Sequence, residues 1–142
     1  MDDSVALSNL IARFALSFDM KDWGALRDCL ADRVHTDYSD LRGAPAATVD
    51  ADDYVRARRD ALEHLLLHHV VGSAEIVIRG ASATCRAAMM IWRKSGEETF
   101  ATHALYTFGA RKDASWKLDA ITQKVLWNDG SPTIHGGAVR GH

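Results

Sequence analysis

Cysteine is scarce in this chain: Cys29 and Cys85 are the two in 142 residues, and they stand far apart. No C-x-x-C pair exists, so neither a disulfide framework nor a cysteine zinc site is expected. Both thiols read as buried groups in a reducing compartment. A surplus of either charge is also missing. The formal net charge is −2, with both signs spread along the chain. A nucleic-acid binder gathers its basic residues into a patch, and a membrane-surface helix gathers them on one face; neither pattern occurs. Apolar runs stop short of transmembrane length. The opening "MDDSVALSNL" is acidic, whereas a secretory signal begins with positive charge and continues apolar. These absences predict a cytoplasmic protein without nucleic-acid or membrane partners. The signatures G-x-G-x-x-G, Walker A and G-x-S-x-G are absent too. No nucleotide, flavin or metal cofactor is expected.

What is present is a hydrophobic content of 47%, enough for one domain with a true core. Val5, Leu7, Leu10, Ile11, Phe14 and Phe18 recur at three- and four-residue spacing, as the buried face of a helix does. Asp22 can cap a second, short helix that buries Trp23, Leu26 and Leu30, leaving Asp19 in the corner between the two. "RVHTDYSDL" alternates and runs into "RGAP", a strand and a turn. In "TVDADDYVRARRDALEHLL" Asp50 is the expected N-cap, with Asp52 and Asp53 in the first turn. Val55, Leu62 and Leu66 share one face of that helix, and Arg56, Arg58, Arg59 and Asp60 read as its solvated side. From His68 on the chain turns β. "HHVVGSAEIVIRG", "SATCRAAMMIWRK", "ETFATHALYTFGARK" and "SWKLDAITQKVLWND" are separated by short turn signals, which predict an antiparallel meander. The fold class is therefore α+β, with helices packed on one face of a curved antiparallel sheet. Such a cone has an inner cavity suited to a small apolar ligand. Residues 1–129 form a single domain in this reading, and the glycine-rich residues 130–142 form a mobile tail or a flap.

Four places carry candidate chemistry. His64 and His68, in "EHLLLHH", are spaced so that one helix face presents both imidazoles. The glutamate precedes the first histidine, so this is not H-E-x-x-H, and the pull of a helix C-terminus on histidine explains the pair without a metal. Asp19 follows the apolar face "FALSF", where a carboxylate is costly to desolvate unless a donor meets it. It either caps the next helix or meets a histidine across the cavity. In the second case it fixes one imidazole tautomer and leaves the other ring nitrogen as a general base. His68 and His69 are neighbours, and neighbours on a strand face opposite ways. Strict alternation groups His68 with Val70, Ala74, Ile76 and Ile78 and turns it inward. Gly72 argues the other way, because a glycine inside a strand often marks a bulge that shifts parity. His103, in "FATHALYTF", reads as a cavity-lining histidine or as a second polar contact to substrate. Tyr106 reads as packing, alongside Phe100 and Phe108, with a subunit interface as one place for it. Trp23, Trp92, Trp116 and Trp127 read as core or pocket wall, and Met89 and Met90 as gap fillers.

Taken in order, "FDMKDWGALRDCLADRVHTDYSDLRG", "HVVG" and the late Trp116–Lys117 with Trp127 resemble the scytalone dehydratase-like branch of the SnoaL-like, NTF2-like superfamily. The resemblance runs to about Asp129. It implies a cone-shaped α+β barrel of the NTF2-like type. It implies that Asp19 orients a catalytic histidine and that His69, not His68, is that histidine; a related hexachlorocyclohexane dehydrochlorinase, another eliminating enzyme, has such a pair. Tyr38 matches a tyrosine that helps hold a water against the substrate carbonyl. Elsewhere the chain departs from the pattern. Phe18 stands where a second tyrosine is found, Trp92 where a second histidine is found, and His103 and Leu105 where a serine and an asparagine are found. The pair is kept while the substrate-reading groups change. Phe18, Trp23, Trp92, His103 and Leu105 are therefore the expected substrate contacts, and scytalone is not the expected substrate.

The implied activity is that of a cofactor-free lyase acting on a small cyclic or aromatic carbonyl or hydroxyl compound. Neutral His69 takes a proton, Asp19 holds its ring, and Tyr38 donates to the developing oxyanion. An isomerase or cyclase built on the same base is one alternative. A non-catalytic ligand-binding or assembly domain is another, because this fold serves all of them. The sheet face away from the helices carries Val77, Met90 and Phe108, which need cover. A homo-oligomer, dimer or trimer, is expected.

Overall fold

The computed structural model describes residues 2–135. Helix α1 (Asp3–Asp19) begins where the Asp2 carboxylate accepts the Ser4 N–H, and it buries Leu7, Leu10, Ile11, Phe14 and Phe18. The helical spacing of these residues in the sequence is thus the inner face. Helix α2 (Trp23–Asp28) is capped as expected: Asp22 accepts the Ala25 N–H at 3.0 Å. Strand β1 (Leu30–Asp37), short helix α3 (Ser39–Arg42), strand β2 (Ala47–Asp50) and helix α4 (Ala51–Leu62) follow. Asp50 does stand at the start of α4, but its side chain makes no cap; it accepts from Arg33 at 2.9 Å instead. The rest is β3 (Leu66–Val71), β4 (Glu75–Arg79), β5 (Ser82–Ser95), β6 (Glu98–Lys112), β7 (Trp116–Gly130) and a 3₁₀ turn at Pro132–Ile134.

All seven strands form one curved, open sheet of order β2-β1-β7-β6-β5-β3, with β4 also on β5. The β5–β6–β7 meander is the one expected from the turn signals. Strand β1 departs from an all-antiparallel reading: it lies parallel to β7. Helices, not a hairpin, deliver it to the sheet, so no short connection fixes its direction.

The segment after His68 is two strands rather than one. Both lie along β5, with a break at Gly72, whose N–H donates to the Ala88 carbonyl at 2.9 Å. Across the break parity shifts. On β3, Leu67 and Val71 pack on the core, and on β4 Ile76 does so, an odd number of residues from either. His69 shares parity with Leu67 and Val71, and His68 is exposed.

The core lies between α1 and the inner sheet face. Phe14 packs edge-on against Phe18 (5.2 Å) and Phe108 (5.3 Å). Alternate residues of β5, from Ala83 through Cys85 and Met89 to Ile91, are buried beneath it. Phe108 therefore belongs to the core, not to the uncovered face, while Val77 is exposed and Met90 partly so. Cys29 and Cys85 are buried free thiols, and burial pushes the Cys29 thiol up to about 11. Asp3 accepts from Trp116 Nε1 (2.9 Å) and Lys112 Nζ (3.0 Å), pinning the start of α1 to the β6–β7 end. No helix among the described residues is long and apolar enough to cross a membrane.

The end of β7 decides where the tail goes. Gly130 has φ +95°, and a Cβ there would lie 2.1 Å from the Thr99 carbonyl oxygen. The chain turns at this point, Ser131 N–H bonds to Thr99 O at 2.8 Å, and Ile134 and His135 become buried. His64 Nε2 donates to the Ile134 carbonyl at 3.1 Å. The expected tail thus packs on the domain as far as His135, and residues 136–142 lie outside the described residues.

Candidate active site

Lys21 takes a left-handed backbone conformation (φ 53°), and its ammonium reaches the carbonyls of Glu63 (2.8 Å) and Leu65. This strap ties the α1–α2 corner to the loop that leads into β3. Asp19, the last residue of α1, then faces the outer edge of β3. Its two oxygens each accept the backbone N–H of His69 at 2.9 Å, which satisfies an edge-strand donor. Oδ1 also accepts from the ring at Nδ1, 2.6 Å away. Asp19 is therefore not the cap of α2; Asp22 is.

A carboxylate on Nδ1 fixes the neutral ring with its proton on that nitrogen, so Nε2 holds a lone pair. The His69 side chain is 5% exposed. Burial pulls its pKa below the usual 6.5, an effect only partly offset by Asp19 and reinforced by nearby Arg93. The Phe18 ring lies against it, 5.1 Å between centroids.

His69 opens on a cavity lined by apolar Phe14, Phe18, Leu62 and Ile91 and by polar Tyr38, Tyr106, Gln123, Arg42, Arg58, Arg93 and His135. Its free space is ≈ 340 Å³ counted to the mouth, and only ≈ 20 Å³ is roomy enough to admit the centre of a water. All three tyrosines of the chain meet here. Tyr38 and Tyr54 share a hydrogen bond at 2.7 Å, Gln123 Nε2 donates to Tyr106 at 2.9 Å, and the Tyr38 and Tyr106 rings meet edge-on. Burial raises the pKa of all three phenols, so each stays a neutral donor.

Of the residues expected at the site, Asp19, His69, Tyr38 and Phe18 are brought together. Trp23 stands behind Phe18, edge-on at 5.9 Å, and does not line the cavity. Trp92, His103 and Leu105 are on the opposite face of the sheet. Trp92 is 45% and Leu105 43% exposed, and His103 stacks on Trp127 at 4.3 Å with Asp129 3.5 Å away. β5 and β6 lie where the alternating segments predict them, but side chains alternate and these three have outward parity. Their neighbours point in. Arg93 continues the buried series Met89, Ile91; Tyr106 continues Ala104, Phe108. Tyr106 is thus a cavity residue rather than interface packing. Arg58, expected on a solvated face, is buried, four residues from both Tyr54 and Leu62 on the inner side of α4. Alternation and helical spacing carried a signal for Arg93 and Arg58, but a charged residue at a core position reads as surface. His64 bonds to the Ile134 carbonyl and His68 is exposed on β3; among the described residues no group of three or more His, Cys, Asp or Glu is placed to hold a metal.

A helix-backed, curved and open antiparallel-rich sheet around one cavity is the fold of the NTF2-like class of small α+β domains. Residues 1–122 match the family model of the SnoaL-like domain, and the chain belongs to that family. A protein named as a dehydratase from Pestalotiopsis microspora is 28% identical over 90% of this chain and 89% of its own length. Among solved structures, a Kribbella flavida protein superposes with TM-score 0.84 at 22% identity, over 89% of this chain and 93% of its own. A hexachlorocyclohexane dehydrochlorinase from Novosphingobium barchaimii superposes with TM-score 0.71 at 14% identity, over 92% and 91%. At these identities the structural likeness shows the fold.

Proposed function

We propose that this chain is a cofactor-free lyase that eliminates water, or a comparable leaving group, from a small cyclic or aromatic compound with a carbonyl beside the acidic carbon. The observation that carries this reading is the 2.6 Å contact between Asp19 and Nδ1 of His69, whose ring lines the cavity. His69 Nε2 takes the proton from carbon, and Asp19 stabilises the imidazolium. Tyr38, its hydroxyl tuned by Tyr54, donates directly or through water to the carbonyl oxygen as negative charge grows there. The imidazolium then returns the proton to the departing hydroxide, so one water leaves and His69 is neutral again. The two relatives named for elimination, a dehydratase and a dehydrochlorinase, point the same way.

The test is a screen of β-hydroxy ketones with product mass as readout. Once a substrate is found, His69→Gln and Asp19→Asn are each expected to lower kcat by about 10²–10⁴, the usual worth of a positioned base. Full activity in both variants would remove the mechanism. A product of unchanged mass would replace the lyase with an isomerase or cyclase.

A further inference from the structure

Three guanidiniums converge on the cavity without a carboxylate among the described residues to pair with them. Arg93 is 3% exposed; it donates to Thr102 Oγ1 at 2.9 Å and lies over the Phe100 ring, yet its Nε is buried without a hydrogen bond. Arg58 is 8% exposed; its Nη1 is buried and unbonded, and its guanidinium lies 5.6 Å from the Tyr38 ring centroid. Arg42 covers the same ring at 4.5 Å and also keeps a buried, unbonded Nε. Among the described residues no acidic side chain lines the cavity. Asp19 stands behind His69, with both oxygens already accepting from it. On the surface the pattern is the reverse: Arg27, Arg33, Arg56 and Arg86 each pair with a carboxylate.

Arginine cannot shed its charge. Burying Arg58 and Arg93, with Arg42 half-buried beside them, around an interior with unused donors is unfavourable for the free chain. The arrangement makes sense when the missing anion is supplied by a ligand, since a guanidinium meets a carboxylate through two parallel hydrogen bonds. We propose that the substrate of this site carries a carboxylate, gripped chiefly by Arg58 and Arg93, in addition to the carbonyl that Tyr38 faces. The inference rests on the reading of this cavity as the substrate site. A flat, two-oxygen group suits so tight an interior better than a tetrahedral phosphate does.

Benzoate and its uncharged analogue benzamide, titrated calorimetrically into the full chain at neutral pH, test this. Benzoate is expected to bind at least about tenfold more tightly, as for a charge-assisted bond out of water. In Arg58→Met and Arg93→Met the ratio is expected to fall towards one. Without ligand, Arg58→Met is expected to melt at or above the parent temperature, because it removes an unpaired buried charge. Equal binding of the two probes by the parent chain overturns the proposal. So does a ratio that survives both substitutions, or inorganic phosphate binding more tightly than benzoate. A lower melting temperature in Arg58→Met, restored in Arg58→Lys with no carboxylate preference in the parent, would mark the arginines as structural and overturn it too. His69→Gln separates the two readings: a benzoate preference kept in that variant supports the anion site, whether or not elimination is lost.

Discussion

His69 is the residue whose ionisation ties chemistry to stability. Folded, its pKa lies below 6.5 because burial disfavours the imidazolium. Below the unfolded value the unfolded chain takes up a proton before the folded one does, so the group's stabilising contribution is full above about 6.5 and is lost as pH falls through the folded pKa. Urea midpoints measured between neutral pH and about pH 5 should therefore drop more for the parent than for His69→Gln. The tyrosine pair gives a second prediction. Tyr38→Phe removes the hydroxyl that meets Tyr54 at 2.7 Å and leaves a buried phenol unpaired. The expected cost is about 1–3 kcal/mol in urea unfolding, with Tyr54→Phe similar in size. At this scale Asp19, His69 and Tyr38 were legible through the order of motifs along the chain. Their neighbours were not: charge hid the inward parity of Arg93 and the inward helical position of Arg58, and the parity Tyr106 shares with Phe100 and Phe108 did not say which sheet face is the inner one.

Among the elements, the β7 terminus and the β3–β4 break control the site. Gly130 is the position where no side chain fits, since φ is +95° and a Cβ would clash with Thr99. Gly130→Ala should destabilise by roughly 1–3 kcal/mol, the usual size of such backbone strain. It should also release Pro132–His135 from the domain and His135 from the cavity wall, read as faster proteolytic cleavage just after β7. The break at Gly72 has a different consequence: it lets Ile76 and His69 face the same interior despite opposite parity in the chain. Long strands and the two N-terminal helices were legible from periodicity. Strand β2 was not, because four residues give no pattern, and the parallel β1–β7 pairing involves partners distant in sequence.

Over the whole molecule, one core joins α1, α4 and the inner sheet face, so unfolding should be a single cooperative event. Phe14, 1% exposed and in contact with both Phe18 and Phe108, sits at its centre. Phe14→Ala should cost about 3–5 kcal/mol, with far-UV and near-UV circular dichroism losing signal together. Because Phe14 also lines the cavity, the same variant should bind ligand less selectively.

The sequence alone determined what depends on local physics: helix faces from spacing, the α2 cap from Asp22, and the meander from turn residues and alternation. The family likeness added the Asp19–His69 partnership. Tertiary structure decided what depends on residues distant in the chain. It brought an aspartate at a helix end to the edge of a strand some fifty residues away. It shifted parity at Gly72 so that His69 faces in, and it turned Arg42, Arg58 and Arg93 onto one interior. Such choices follow from which side of each element finds room against the others, and no window of sequence contains that information.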